Sequence, residues 1–252
     1  MDPLAGLKPL TRFSERAADY AKFRPSYPPE AIDFILEDLG DPACLIAADI
    51  GAGTGISSRL LAERGIRVIA VEPNERMRSA ADPHPRVEFA DGQGERTGLR
   101  DASVDLATCF QSFHWLQAES ALAEFLRILK PAGRVALLWN VRDDRDAFTR
   151  GYGQVILDVA GPKANIERID AADDLMRHPA FRDAKSATFA SRQLLSVDEL
   201  LGRARSASYV PLDGPDYERV MDALGRLHGA HAGAEGKAAL VYQTCVYRAG
   251  RA

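Results

Sequence analysis

From Cys44 to Asn140 short runs of apolar and β-branched residues, CLIAADI, RVIAVE, RVEFAD, SVDLATCF and RVALLWN, alternate with helical patterns such as ISSRLLAERG and SALAEFLRILKPAG. Runs of that length without a polar face suit strands buried on both sides, and the segments between them carry apolar residues at helical steps. Parallel neighbours need crossover connections, so the rhythm predicts an α/β fold, a mostly parallel sheet with helices on both faces. In the last of these helices Lys130 is expected in the final turn, with Pro131 after it and Gly133 before the next strand. KSATFASRQLL and LVYQTCVYRA supply two more strands, seven in all, and SVDELLGRARSAS and YERVMDALGRLHGAH two more helices.

The 252 residues are expected to form a single domain. Residues 1–28 read as an N-terminal lid segment. Its helix begins near Ser14 and stops before Pro25, while Pro28 and Pro29 prime a second helix at PPEAIDFILEDLG. Residues 29–140 form the core and 141–185 an inserted, charged helical cap, clearest at DAFTRGYGQVILDVAG; 186–252 complete the sheet. Within the run VRDDRD, Arg142 and Arg145 are expected to neutralise the acids of a solvated turn, so no metal site is read there.

A net charge of −4 offers no basic field, so nucleic acid is not expected as a partner. The opening MDPLAGLKPLTRF lacks the apolar core of a secretion signal, and CLIAADI falls far short of the ~20 apolar residues of a membrane span. A cytoplasmic protein away from membranes, monomeric or homodimeric, is the expectation. Cys44, Cys109 and Cys245, odd in number and far apart, are expected to be reduced and buried.

The strand CLIAADI runs directly into GAGTG. Gly51, Gly53 and Gly55 therefore lie at a strand-to-helix turn, where free backbone N–H groups are expected to face outward and the missing Cβ atoms let a ligand approach the main chain. Glu72, at the end of the next strand, stands where a carboxylate accepts from both hydroxyls of a ribose. A dinucleotide fits poorly, because Ile56 occupies the place of the third fingerprint glycine. Asp49, ahead of the loop, would repel a pyrophosphate but suits a ligand ending in an ammonium group. S-adenosyl-L-methionine has that ammonium, a ribose and no phosphate.

ADIGAGTG with Glu72 resembles the class I S-adenosylmethionine-dependent methyltransferases. FSERAADYAKFRPSYP, EPNERM, DGQGERTGLRDASVDLATCFQSFHW, LKPAGRVALLWN and ARSASYV are similar to the methyltransferase type 11, small-molecule branch related to trans-aconitate methyltransferase. The resemblance implies a Rossmann-like seven-stranded sheet and S-adenosyl-L-methionine as cofactor, with S-adenosyl-L-homocysteine as product. It implies Gly51, Ala52, Gly53 and Gly55 beneath the methionine and ribose, Asp49 near the ammonium directly or through water, and Glu72 on the ribose. Pro73, Asn74 and Met77 would flank adenine. Gln93 stands where many relatives have Asp to meet the adenine amine, and an amide oxygen still accepts from it; the backbone N–H of Gly94 follows.

Phe110 to Trp115 follow the fourth strand, at the carboxyl edge where reacting atoms should meet. Methyl transfer is an in-line displacement that needs alignment and exclusion of water more than acid or base. Where a base is needed His114 is the candidate, beside Gln111. Tyr20 and Arg24 read as residues closing over the methionine carboxylate or an anionic substrate, and Trp115, Tyr27 and Trp139 as substrate contacts. The acceptor expected is a small molecule with a carboxylate or other oxygen nucleophile. Two other functions stay open: a catalytically silent nucleoside-binding module, against which Tyr20, Arg24, Gln111 and His114 argue, and a nicotinamide-dependent oxidoreductase. The latter lacks its Tyr-x-x-x-Lys pair at Tyr152, Tyr209 and Tyr217.

Overall fold

The structure, a computed structural model, describes residues 14–160 and 171–252. Residues 1–13 of the expected lid segment and 161–170 of the expected cap lie outside the described residues. Strands β1 (Ile46–Ile50), β2 (Arg67–Val71), β3 (Val87–Ala90), β4 (Val104–Phe110), β5 (Leu129–Arg142), β6 (Phe181–Leu195) and β7 (Ala238–Arg251) form one sheet in the order β3-β2-β1-β4-β5-β7-β6. β1 to β5 pair in parallel, whereas β7 runs antiparallel to both β5 and β6. This is a Rossmann-like fold with an antiparallel edge. Chain order reverses between β1 and β4, which opens a crevice at their carboxyl ends.

Alternation along β1 sends successive side chains to opposite faces and so builds two cores. Ala48 and Ile50 face a cluster with Leu122, Phe125 and Ile128 of α5 (Ala118–Ile128) and Leu175 of α7 (Ala171–Met176). Ala47 faces Ile32 and Ile35 of α2 (Pro29–Leu36) and Leu61 of α3 (Ile56–Glu63). A third cluster joins Phe148, Tyr152 and Ile156 of α6 (Ala147–Ala160), Leu200 of α8 (Val197–Arg205) and Leu224 of α9 (Gly214–His231) to Leu240 and Tyr242 of β7. Among the described residues the segment after Asn140 has no sheet of its own, and its core rests on the first half of β7.

The N-terminal segment is tied to α8. Helix α1 (Ala17–Phe23) ends before Pro25, as the prolines predict, and Phe23 packs so tightly on Gly202 that a Cβ there would lie 2.4 Å from its ring. The buried Arg16 guanidinium donates to the carbonyls of Arg205, Ala207 and Val210, and Arg205 pairs with Asp19 at 3.1 Å.

Several expectations need correction. Helix α5 ends at Ile128, and β5 already includes Lys130, Pro131 and Gly133; Lys130 pairs with Asp105 of β4 at 2.7 Å instead of capping the helix. The chain joins β4 at Leu129, opposite Val104, earlier than the helix stop signals suggest. β6 begins at Phe181, before the expected boundary at 186. All three cysteines are free, but Cys44 is exposed and Cys245 half-buried, because the first sits in a 3-10 turn and the second near the outer side of the antiparallel edge. Among the described residues no helix is long and apolar enough to cross a membrane.

Glu124 of α5 fixes the loop after β3. Its carboxylate accepts from Thr97 N (2.8 Å) and Oγ1 (2.6 Å) and from both arms of Arg127 (2.7 and 2.8 Å). Burial disfavours its charge, but the Arg127 and Thr97 bonds outweigh burial and hold its pKa down to about 2 from 4.5. A depressed carboxyl stabilises the fold fully above its unfolded value and loses that contribution as pH falls toward the folded one. Glu124→Gln is therefore expected to lose on the order of 2–3 kcal/mol at pH 7. In urea denaturation the gap to wild type should close between about pH 4.5 and 2; a pH-independent gap would refute the assignment.

Candidate active site at the carboxyl edge of the sheet

Between β1 and α3 the loop Gly51–Gly55 holds left-handed φ at all three glycines, +69°, +59° and +76°. Gly51 is the strictest position, since a Cβ there would lie 2.6 Å from Ser112 Cβ. Four N–H groups of the loop itself turn inward. Gly51 and Ala52 donate to Val71 O (2.8 and 3.2 Å), Gly53 to Glu72 Oε2 (2.9 Å) and Gly55 to Ala52 O (2.9 Å). Three of these donors close the loop against the end of β2, and the fourth closes it on itself.

Two acids frame the loop at different depths. Asp49 is fully buried, and its carboxylate accepts from Ser57 Oγ and Ser58 Oγ (2.6 Å each) and Thr108 Oγ1 (3.0 Å). Burial raises its pKa, and those three hydroxyls oppose the rise. It thus lies beneath the loop, bracing β1, α3 and β4. Glu72 is 9% exposed and bridges two loops, accepting from Gly53 N and Asn74 N at 2.9 Å each. Burial raises its pKa, and the Asn74 and Gly53 bonds work the other way. A carboxylate offers about four acceptor positions, so two bonds leave room for further hydroxyl donors.

On the β2–β3 side, Asn74 caps α4 (Glu75–Ser79) by accepting from Arg76 N and Met77 N, which follows Pro73. Met77 is buried, and its Cε and the Tyr20 ring lie against Gly53, 3.3 and 3.7 Å from where a Cβ would be. Gln93 is exposed and forms a tight turn with Arg96, while Gly94 is buried against Leu116. Arg24 lies over the Tyr20 ring at 4.6 Å and donates to Ser206 O (3.0 Å); its Nε is buried without an acceptor.

The third wall is the turn after β4. Phe110 packs edge-on to Tyr27 (5.0 Å, 64°). Gln111 holds φ +58°, with its N–H on Leu138 O (2.8 Å) and Nε2 on Asn140 O (3.2 Å). Strained non-glycine backbone persists where its surroundings over-determine it, commonly at functional turns. Ser112 Oγ donates to Ile50 O (2.8 Å) and ties this turn to the glycine loop. His114 Nδ1 accepts from Trp139 Nε1 (3.1 Å), and its ring lies 4.9 Å from that of Trp115. Trp139 is itself in the core, against Tyr247, so its expected substrate contact gives way to a place behind His114.

The fold therefore gathers Tyr20, Gly53, Glu72 and Met77 around one crevice and joins the Phe110–Trp115 turn to it through Ser112. It sets Asp49 and Trp139 one layer back. Ser57, Ser58 and Thr108, the partners of Asp49, are missed by sequence reasoning; a serine pair directly after a glycine loop was the available signal. In VRDDRD, Arg145 does pair with Asp143 (2.5 Å), but Arg142 turns inward over the Tyr152 ring (5.8 Å). Among the described residues no cluster of three or more His, Cys, Asp or Glu is placed to hold a metal ion.

Comparison with known proteins fits this geometry. The family described as methyltransferase domain matches residues 48–137, from within β1 to the middle of β5. An uncharacterised methyltransferase of Schizosaccharomyces pombe is 31% identical over 190 residues, 75% of each chain. Curated relatives from Mycobacterium and a second one from Schizosaccharomyces pombe, 37 to 39% identical, are matched over 54 to 58% of their own length. A proposed type II methyltransferase from Anaeromyxobacter dehalogenans has a TM-score of 0.65 at 27% identity, over 91% of this chain and 98% of that one. A geranyl diphosphate C-methyltransferase from Streptomyces coelicolor, solved with Mg2+, geranyl-S-thiolodiphosphate and S-adenosyl-L-homocysteine, shares the fold. Its TM-score is 0.51 at 14% identity, over 88% of this chain and 76% of that one. With its sheet order, its glycine loop closed on Glu72 and these relatives, the chain belongs to the class I S-adenosylmethionine-dependent methyltransferases.

Proposed function

We propose that this methyltransferase acts on a small-molecule acceptor through an oxygen nucleophile, with alignment and exclusion of water as its main catalytic devices. The observation that carries this reading is the Ser112–Ile50 bond, which joins the cofactor crevice to the turn bearing Gln111 and His114. The residues fit S-adenosyl-L-methionine better than a dinucleotide, because the N–H groups of Gly51, Ala52, Gly53 and Gly55 are spent inward and the crevice is framed by the Glu72 carboxylate, Met77 and the Tyr20 ring. When bound, the cofactor supplies a methyl group on a sulfonium sulfur. Glu72 would accept from the ribose hydroxyls, Met77 and Pro73 would flank the adenine with Gln93 and Gly94 at its edge, and Arg24 would meet the methionine carboxylate. Asp49 would act on the ammonium through its field and through water, since its oxygens already accept from three hydroxyls.

His114 changes role in this reading. An Nδ1 that accepts the Trp139 indole N–H leaves the ring proton on Nε2, so the neutral imidazole is a donor there and not a base. A donor suits an acceptor oxygen that already carries its lone pairs, such as a carboxylate, because it fixes that oxygen without removing a proton. Gln111, held left-handed, would position the backbone beside the acceptor, and Tyr27 and Trp115 would cover it. The N-terminal segment would act as a lid and the segment after Asn140 as a cap, both closing the crevice from solvent.

Release of S-adenosyl-L-homocysteine over a panel of small acceptors tests the activity; binding of the cofactor without release for every acceptor would favour a silent module. Glu72→Ala is expected to weaken S-adenosyl-L-homocysteine by about 1.5–3 kcal/mol for each charge-assisted bond lost, read by calorimetry. Unchanged affinity would remove Glu72 from the ribose. Trp139→Phe should shift the His114 ring 15N resonances away from the Nε2–H tautomer and reduce turnover while cofactor affinity holds. Unaltered resonances would show that the indole does not set the tautomer.

A further inference from the structure

Arg203 of α8 is 5% exposed, and its Nε and Nη1 are buried with no hydrogen-bond acceptor. The buried hydroxyl of Tyr152 (α6) is likewise without a partner, and that of Tyr242 (β7) faces the Arg203 guanidinium. Arg142, at the carboxyl end of β5, is the register partner of Tyr242 and reaches over Tyr152. No carboxylate among the described residues forms an ion pair with Arg24, Arg142 or Arg203. Burial raises the Tyr209 hydroxyl, yet Arg142, Arg203 and Arg24 outweigh it and leave its pKa below the ordinary value, as expected in a positive field.

Arg16 shows what a structural buried arginine looks like in this protein: three backbone carbonyls receive its guanidinium. Arg203 has no such set. A buried guanidinium with unsatisfied donors costs several kcal/mol, which an incoming anion would offset. The cluster also borders the crevice, since Arg24 lies over Tyr20, which touches the glycine loop. The cofactor carries one carboxylate, and Arg24 is the guanidinium nearest its proposed place.

We propose that Arg142 and Arg203, with the hydroxyls of Tyr152, Tyr209 and Tyr242, form a second anion subsite that holds a carboxylate or phosphate group of the methyl acceptor. The subsite rests on the methyltransferase reading given above. Its five residues lie on the end of β5, α6, α8, the connection from α8 to α9, and β7, all outside the matched family region.

The test uses the full chain saturated with S-adenosyl-L-homocysteine and titrated with malonate or inorganic phosphate at fixed ionic strength. Wild type is expected to bind at least one of them saturably. Arg203→Gln is expected to weaken that binding by about tenfold or more, while S-adenosyl-L-homocysteine affinity stays within about twofold. Malonate binding alone assigns a carboxylate acceptor, and phosphate binding alone a phosphorylated one. The melting temperature of ligand-free Arg203→Gln should hold or rise, because an uncompensated buried charge is removed. Tyr242→Phe, which deletes only a hydroxyl, should weaken the anion several-fold with the fold intact. Absence of saturable anion binding, equal binding by Arg203→Gln, or a clear loss of its stability would overturn the subsite. Failure of wild type to bind S-adenosyl-L-homocysteine would instead strike the reading beneath it.

Discussion

A single buried carboxylate organises the functional end of this molecule. Asp49 draws Ser57 and Ser58 from the first turn of α3 and Thr108 from β4 onto the last turn of β1, so three elements close on one charge. Its burial would be prohibitive without those donors, and with them it becomes a geometric anchor. The glycine loop rides on that anchor. Gly51 passes under Ser112 with no room for a side chain, Ser112 holds Ile50, and Glu72 takes the loop's N–H. Position in the crevice therefore descends from Asp49 outward, first to backbone and then to the groups that meet a ligand.

Much of this was legible in the sequence, for reasons specific to each part. Parallel strands buried on both faces must be apolar throughout, so CLIAADI, SVDLATCF and RVALLWN stand out from their amphipathic neighbours. The glycines are visible because left-handed backbone admits little else, and Glu72 because the end of a strand next to such a loop is a fixed place. The end of α5 was not legible: Lys130 reads equally as a helix terminus and as the partner of Asp105, and only the register of β4 and β5 decides.

The site was less legible than the fold. Local sequence cannot say whether an acid faces a ligand or three hydroxyls, since Ser57, Ser58 and Thr108 are brought to Asp49 by packing. Nor does it tell that Trp139 stands behind His114 and donates to its Nδ1. The inward turn of Arg142 is the plainest case. Its neighbours Asp143 and Asp144 suggest a surface ion pair, but Arg145 takes Asp143 and the alternation of β5 points Arg142 toward Tyr152.

The seat of α1 on α8 has a consequence for how such a chain can diversify. Phe23 fills the space left by Gly202, one residue from Arg203, and the same short helix carries Tyr20 and leads into Arg24. The packing of α1 on α8 thus couples Tyr20 and Arg24 to the surroundings of Arg203. Because Phe23 leaves no room for a side chain at Gly202, a change on this part of α8 would displace α1 and with it Tyr20 and Arg24, so such changes would have to be compensated on α1.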